Sequence, residues 1–237
     1  MILAAGMGSR LAHITKDTPK CLVEVGGKPI IFHVISALRK IGISEFVVNL
    51  HYKAEMVHSY LETLQKDPSL TIHFSRETSL LDTGGGLLHA SSYFQDCEKV
   101  LIHNADIYSE VSFEEMVRVH ENQSALATLY TKKAEDPRTL LFSKEGELLG
   151  WQNADTGDKR LIRDVSQTIP LGFCGVSLIS RGFFEYLDGH GEKFSLISAF
   201  LRAAEDGERV QSYEDNDSFW IDMGTPEKLE VLRKRLT

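Results

Sequence analysis

Near the start of the chain, Gly6 and Gly8 stand in Ala4-Ala5-Gly6-Met7-Gly8-Ser9-Arg10-Leu11, and Lys20 follows in Thr18-Pro19-Lys20. A residue without a side chain lets its backbone N–H meet a phosphate oxygen directly. Arg10 adds a planar, permanently charged fork suited to phosphate, and Lys20 adds a mobile ammonium. The apolar run Ile2-Leu3-Ala4 leads straight into this loop, so the pattern predicts a triphosphate cradle at the carboxyl end of the first strand of an α/β sheet. Two other glycine patterns do not fit. A P-loop needs four residues between its glycines and then Lys-Ser/Thr. A dinucleotide fingerprint needs a third glycine where Leu11 stands, and an acid ending the second strand, where this chain has Asn49-Leu50-His51. An ordinary glycine turn with a surface arginine is the plain structural alternative.

Two acids extend the pattern. Lys99-Val100-Leu101-Ile102-His103 reads as a buried strand ending in Asn104-Ala105-Asp106. A carboxylate there is costly unless paired or bound to a cation. Magnesium takes one or two carboxylates plus substrate phosphates, so Asp106 invites a second acid. Asp222, in Phe219-Trp220-Ile221-Asp222-Met223-Gly224-Thr225, supplies it, and alternation puts Trp220 and Asp222 on one strand face. The competing role for Asp106, a helix cap, is better filled by Ser112 ahead of Phe113-Glu114-Glu115. Asp82-Thr83-Gly84-Gly85-Gly86 carries three successive glycines, which cost backbone entropy. They are expected to precede a helix and to let a flat ring lie against bare backbone.

The elements that must position these residues alternate. Val23 to Pro29 reads as a short strand and turn, and Pro29 as the first residue of a helix with apolar face Ile30, Ile31, Val34, Ile35, Leu38 and Ile41. Glu45–Leu50 reads as a buried strand, Ala54 to Leu64 as a helix and Leu70–Phe74 as a third strand. This rhythm implies an α/β fold with right-handed crossovers and a mixed, mostly parallel sheet flanked by helices, binding ligands beyond the carboxyl ends of its strands. Further on, Ser124–Thr131 reads as a strand, the segments around Leu140–Phe142 and Leu148–Trp151 as a hairpin, and Gln152–Gln167 as polar loop. Leu171–Ile179 reads as a strand, Arg181–Leu187 and Ser195–Glu205 as helices, and Arg209–Tyr213 as a strand. Thr225 and Pro226 open a closing helix.

Bulk properties narrow the possible functions. The 237 residues are 42% hydrophobic and 25% charged, with a formal net charge of −8. That length fits one domain. The acidic balance disfavours a nucleic-acid partner or an anionic membrane surface. No apolar run approaches a membrane span and the start lacks signal-peptide features, so a cytoplasmic protein is expected. Cys21, Cys97 and Cys174 lack zinc-site spacing and suit a reducing compartment. Monomer and dimer both remain open.

Taken together, the motifs resemble the nucleotide-sugar pyrophosphorylases, which join a nucleoside triphosphate to a sugar 1-phosphate. The resemblance covers the whole chain and rests on Leu3–Leu11, Thr18-Pro19-Lys20, Val25-Gly26-Gly27-Lys28-Pro29, Asp82–Gly86, Asn104-Ala105-Asp106 and Trp220–Thr225. The triple glycine and compact length look most like N-acetylmuramic acid 1-phosphate uridylyltransferases, with mannose 1-phosphate guanylyltransferase-like enzymes close behind. It implies the nucleotide-diphospho-sugar transferase fold, a single domain with a nucleotide-binding half over about 1–110 and a sugar-binding half over about 111–237. It further implies that Ala4, Ala5, Gly6, Gly8, Ser9, Arg10 and Lys20 hold the triphosphate, while Thr83, Gly84 and Gly85 lie near the base. Asn104, Gly172, Gly175, Ser195 and Trp220 would face the sugar phosphate, and Asp106 and Asp222 would hold Mg²⁺. Arg10, Lys20 and Asp106 would be the catalytic set.

Two departures accompany the resemblance. Ala105 replaces a usual glycine, and relatives commonly carry a few residues before the equivalent of Ile2, so a trimmed start is expected. Because the chain ends soon after its closing helix, the β-helix acyltransferase domain of bifunctional relatives is expected to be absent. Three rival functions fit less well. A silent nucleotide-sugar sensor would not need both acids; a dinucleotide-dependent oxidoreductase lacks its third glycine; and a carbohydrate-binding module leaves the cradle unexplained.

Overall fold

The computed structural model describes residues 1–6, 8 and 16–237. In chain order the elements begin with β1 (Ile2–Leu3), β2 (Glu24–Val25), β3 (Lys28–Pro29), α1 (Ile30–Lys40), β4 (Glu45–Leu50), α2 (Ala54–Leu64), β5 (Thr71–Arg76), α3 (Asp82–His89) and β6 (Lys99–Asn104). They continue with β7 (Ile107–Ser109), α4 (Phe113–Asn122), β8 (Ala127–Lys133), β9 (Arg138–Phe142), β10 (Leu148–Asn153), β11 (Asp158–Leu161) and β12 (Ile169–Ser180). The last are α5 (Leu196–Glu205), β13 (Val210–Glu214), β14 (Trp220–Asp222) and α6 (Pro226–Arg235). Short 3₁₀ turns cover Lys20–Leu22, Ser91–Phe94 and Arg181–Tyr186.

The chain forms two compact units that interleave in sequence. The first comprises Met1–Asp82, His103–Glu110 and Phe219–Thr237, and the second Thr83–Ile102 and Val111–Ser218. Residues 83–102 thus fall in the second unit, and the closing segment in the first.

In the first unit β5, β4, β1 and β6 lie side by side and parallel, with Ile2 in register with Val48 on one flank and His103 on the other. Phe46 to Leu50 are all buried, the continuous run expected of a parallel strand covered on both faces. α1 buries Ile30, Ile31, Val34, Ile35 and Leu38, the face its spacing predicts, while Pro29 caps the helix rather than opening it. A separate apolar cluster joins Val23, Val25, Ile30, Ile221, Met223, Leu229 and Leu232. It fastens the closing strand and helix to the hairpin of β2 and β3.

The second unit is largely antiparallel. β12 pairs with β8 and β9, β9 with β10, and β10 with β11, while β13 lies parallel to β8. Tyr130, Phe142, Phe183 and Phe200 fill its core. Along β12 the register with β8 shifts between Phe173 and Ser177, and Gly175, with φ +69°, sits inside that bulge. The stretch expected to be loop, 152–167, is instead partly strand: β11 closes a hairpin on β10 with Asp158, Lys159 and Arg160 exposed. Charges that blunt a sheet edge mimic a loop in sequence. Arg181–Tyr186 is a 3₁₀ turn rather than a regular helix.

Cys21 and Cys174 are buried and Cys97 half-buried, all as free thiols. Burial pushes the Cys21 and Cys174 thiols up to about 12, so neither is a nucleophile at neutral pH. Among the described residues no helix is long and apolar enough to cross a membrane.

Two buried histidines make stability pH-dependent. His120 bonds Thr128 Oγ1 and Ser180 Oγ at 2.9 Å each, and the Ser180 hydroxyl donates to the Ala125 carbonyl at 2.9 Å. Ser180 therefore accepts from Nε2–H, and in the neutral ring that burial favours Nδ1 accepts from the Thr128 hydroxyl. Burial pulls both His120 and His103 down to about 4 from an ordinary 6.5. The unfolded chain takes up these protons near 6.5 and the folded chain only near 4, so the stabilisation is complete above pH 6.5 and is lost as pH falls toward 4. Each histidine accounts for on the order of 3 kcal/mol at most. Urea unfolding should weaken across that window, and His120→Gln should flatten its slope there; an unchanged slope would contradict the assignment.

Candidate active site

The candidate site of the first unit is built at the carboxyl ends of parallel strands. The Ala105 N–H donates to the Leu3 carbonyl at 2.9 Å, so the loops leaving β1 and β6 start side by side. Ala4 and Ala5 are buried, Gly6 is exposed and Gly8 half-buried with φ +64°. Among the described residues nothing lies within 4 Å of a Cβ built on Gly6. No described neighbour requires a glycine there. Ser9 and Arg10 lie outside the described residues.

Lys20 and Asp106 form an ion pair, with side chains 10% and 33% exposed. An ammonium so buried needs a partner of this kind. Asp222 arrives from the far end of the chain. β14 pairs antiparallel with β7, placing Asp222 opposite Ile107, and the Met223 N–H donates to the Asp106 carbonyl at 2.9 Å. Ile221 and Met223 point into the apolar cluster, which leaves Trp220 and Asp222 on the other, half-buried face. Asp222 pairs with Lys228, and Thr225 caps α6 as its Oγ1 accepts the Lys228 N–H at 3.4 Å. Asn104 ends β6, half-buried, its carbonyl bonded by His103 Nδ1 at 2.8 Å.

Two residues outside the sequence motifs tie the loops of this unit together. Asn49, buried in β4, accepts the Ala4 N–H at 2.6 Å and donates to Glu77 Oε1 at 2.6 Å. The other oxygen of Glu77 accepts the Leu81 N–H at 3.1 Å. The start of the glycine loop and the segment leading to Asp82 thus share one buried polar relay. Its sequence signal is a polar Asn inside an otherwise apolar strand, since a buried amide demands partners.

In the second unit the three glycines lie inside α3 instead of ahead of it. The N–H groups of Gly84 and Gly85 donate to the Phe194 carbonyl at 2.9 and 3.2 Å, and Thr83 Oγ1 accepts the Leu196 N–H at 2.9 Å. A Cβ on Gly84 would collide with the Phe194 ring. Packing alone therefore accounts for Gly84. Ser195 caps α5, its Oγ accepting the Ile197 N–H at 3.3 Å. Gly172 faces Lys132 across the ladder, and a Cβ there would make only ordinary contacts, the nearest at 3.7 Å.

The sequence matches the nucleotidyl transferase family model over residues 1–140. The N-acetylmuramate alpha-1-phosphate uridylyltransferase of Caulobacter vibrioides is 31% identical over 250 residues, spanning 100% of this chain and 96% of that protein. The probable mannose-1-phosphate guanylyltransferase 3 of Oryza sativa subsp. japonica is 34% identical over 139 residues, 58% of this chain and 38% of the rice protein. In that match the chain spans well under half the length of its relative. Among solved structures, HddC from Yersinia pseudotuberculosis superposes with a TM-score of 0.78 at 22% identity, covering 100% of this chain and 98% of that one. A putative glucose-1-phosphate thymidylyltransferase from Bacillus anthracis gives 0.81 at 19%, covering 99% and 93%. These two show a shared fold. The chain belongs to the nucleotidyl transferase family.

The two glycines should respond oppositely to the same substitution. Gly84→Ala should cost about 1–3 kcal/mol through overpacking against Phe194. Gly6→Ala should shift stability by less than about 1 kcal/mol, since the described surroundings leave the added methyl free. Urea denaturation checks both, and a larger loss at Gly6 would reverse the interpretation.

Proposed function

We propose that the protein transfers a nucleotidyl group from a nucleoside triphosphate to a sugar 1-phosphate, releasing pyrophosphate. The observation that supports this reading is the ion pair of Lys20 with Asp106, on a segment whose backbone is bonded both to the end of β1 and to the strand that carries Asp222. UTP and N-acetylmuramic acid 1-phosphate are the favoured substrates, because the Caulobacter vibrioides relative matches over nearly its full length. GTP with mannose 1-phosphate is the second reading, supported by the rice relative's match. A glucose 1-phosphate taken with dTTP or UTP completes the series. The reaction belongs in the cytoplasm, where nucleoside triphosphates are held.

The carboxylates of Asp106 and Asp222 offer oxygen donors, are partly exposed and sit on neighbouring backbone segments, a set that fits Mg²⁺. An ion held there would neutralise charge on the phosphate oxygens. The remaining work is positioning. The sugar phosphate is already ionised near neutral pH, so no residue need act as a base when its oxygen attacks the α-phosphorus and pyrophosphate departs. Lys20 would neutralise charge between the α-phosphate and the incoming phosphate, and Arg10 would stabilise the leaving pyrophosphate. The backbone of Ala4, Ala5, Gly6, Gly8 and Ser9 would hold the triphosphate. In the second unit Thr83, Gly84 and Gly85 would read the base, and Gly172, Gly175 and Ser195 the sugar; in the first, Asn104 and Trp220 would also face the sugar phosphate.

Pyrophosphate release should be measured over UTP, dTTP, GTP and CTP against N-acetylmuramic acid, glucose, N-acetylglucosamine and mannose 1-phosphates. One pairing should dominate, and Asp106→Ala or Asp222→Ala should slow it at least about a hundredfold, roughly 3 kcal/mol of transition-state stabilisation. Activity within a few-fold of the parent in both variants would remove the carboxylates from the mechanism. No turnover with any pairing, alongside tight nucleotide binding, would favour a sensor.

A further inference from the structure

Lys228 occupies an unfavourable place. It is the third residue of α6, where the exposed N–H groups of a helix make a positive end that favours acids over cations. Its ammonium turns back to Asp222, six residues earlier. Asp222 cannot easily follow a partner elsewhere, because Ile221 and Met223 on either side are anchored in the apolar cluster. Lys20 stands in the same relation to Asp106. Two ion pairs therefore sit on backbone segments that are joined where β14 pairs with β7, and within each pair the formal charges cancel.

We propose that Lys228 is a positioning residue, a built-in counter-cation that with Lys20 keeps Asp106 and Asp222 from taking up a divalent ion until a nucleoside triphosphate supplies the missing negative charge. This rests on the proposed role of the two acids as cation ligands. A hydrated magnesium ion gives up water reluctantly, and a cluster of zero net charge offers it little attraction. A triphosphate changes both terms: it brings its own oxygen ligands and draws the Lys20 ammonium toward phosphate. Order of binding would then follow from charge alone, with the ion entering together with the nucleotide.

The test uses Mn²⁺ as the probe and reads its free signal by electron paramagnetic resonance, with no turnover required. Wild type, Lys228→Met and Lys228→Arg are each titrated without nucleotide and then with UTP or GTP, and circular dichroism confirms the fold of each. Lys228→Met should bind Mn²⁺ at least about tenfold more tightly than wild type without nucleotide, while Lys228→Arg behaves as wild type. Equal affinity of wild type and Lys228→Met, with nucleotide-dependent binding intact, would overturn the role of Lys228 alone. Mn²⁺ uptake with nucleotide that is unchanged by Asp106→Asn would overturn the underlying assignment of the acids, and this inference with it.

Discussion

A carboxylate at a half-buried position needs a partner, and the first unit supplies one to each of Asp106 and Asp222. Asp106 follows a buried strand and Asp222 comes from a segment more than a hundred residues later. The pairing of β7 with β14 and the bond from the Met223 N–H to the Asp106 carbonyl join their backbone segments. Each acid then has its own lysine, one from a 3₁₀ turn and one from the first turn of the closing helix. Charge balance is thus part of the architecture, since an unpaired acid at a half-buried strand end would cost more than the pairing recovers.

The packing beneath the site has the same logic. Alternation along β14 sends Ile221 and Met223 into the cluster with Val23, Val25, Leu229 and Leu232, so burial of apolar surface fixes the direction in which Asp222 points. On the other side of the glycine loop, the Asn49–Glu77 relay secures Ala4 through side-chain bonds that the parallel ladder does not supply.

Much of this arrangement is legible in the order of the residues. The parallel half follows from apolar runs of clear length, since Glu45–Leu50 and Ala54–Leu64 appear with the expected bounds; Thr225 there, and Ser112 in the second unit, cap their helices as expected. The features that sequence does not disclose depend on tertiary partners. The contact of Gly84 with Phe194, more than a hundred residues away, has no signal in the local sequence. β11 is too charged to read as a strand without β10 beside it. Lys228 looks like an ordinary surface lysine, and only its place in the first turn of α6 hints that it answers to Asp222.

The bond of the triphosphate that breaks is the most direct test of the proposed transfer. Phosphorus-31 resonance of a reaction containing the favoured nucleotide, the sugar 1-phosphate and Mg²⁺ distinguishes the possibilities without labels. Cleavage between the α- and β-phosphates predicts inorganic pyrophosphate accumulating in step with a new diphosphate diester that contains the sugar's phosphorus. Nucleoside diphosphate with inorganic phosphate, and an untouched sugar phosphate, would contradict it.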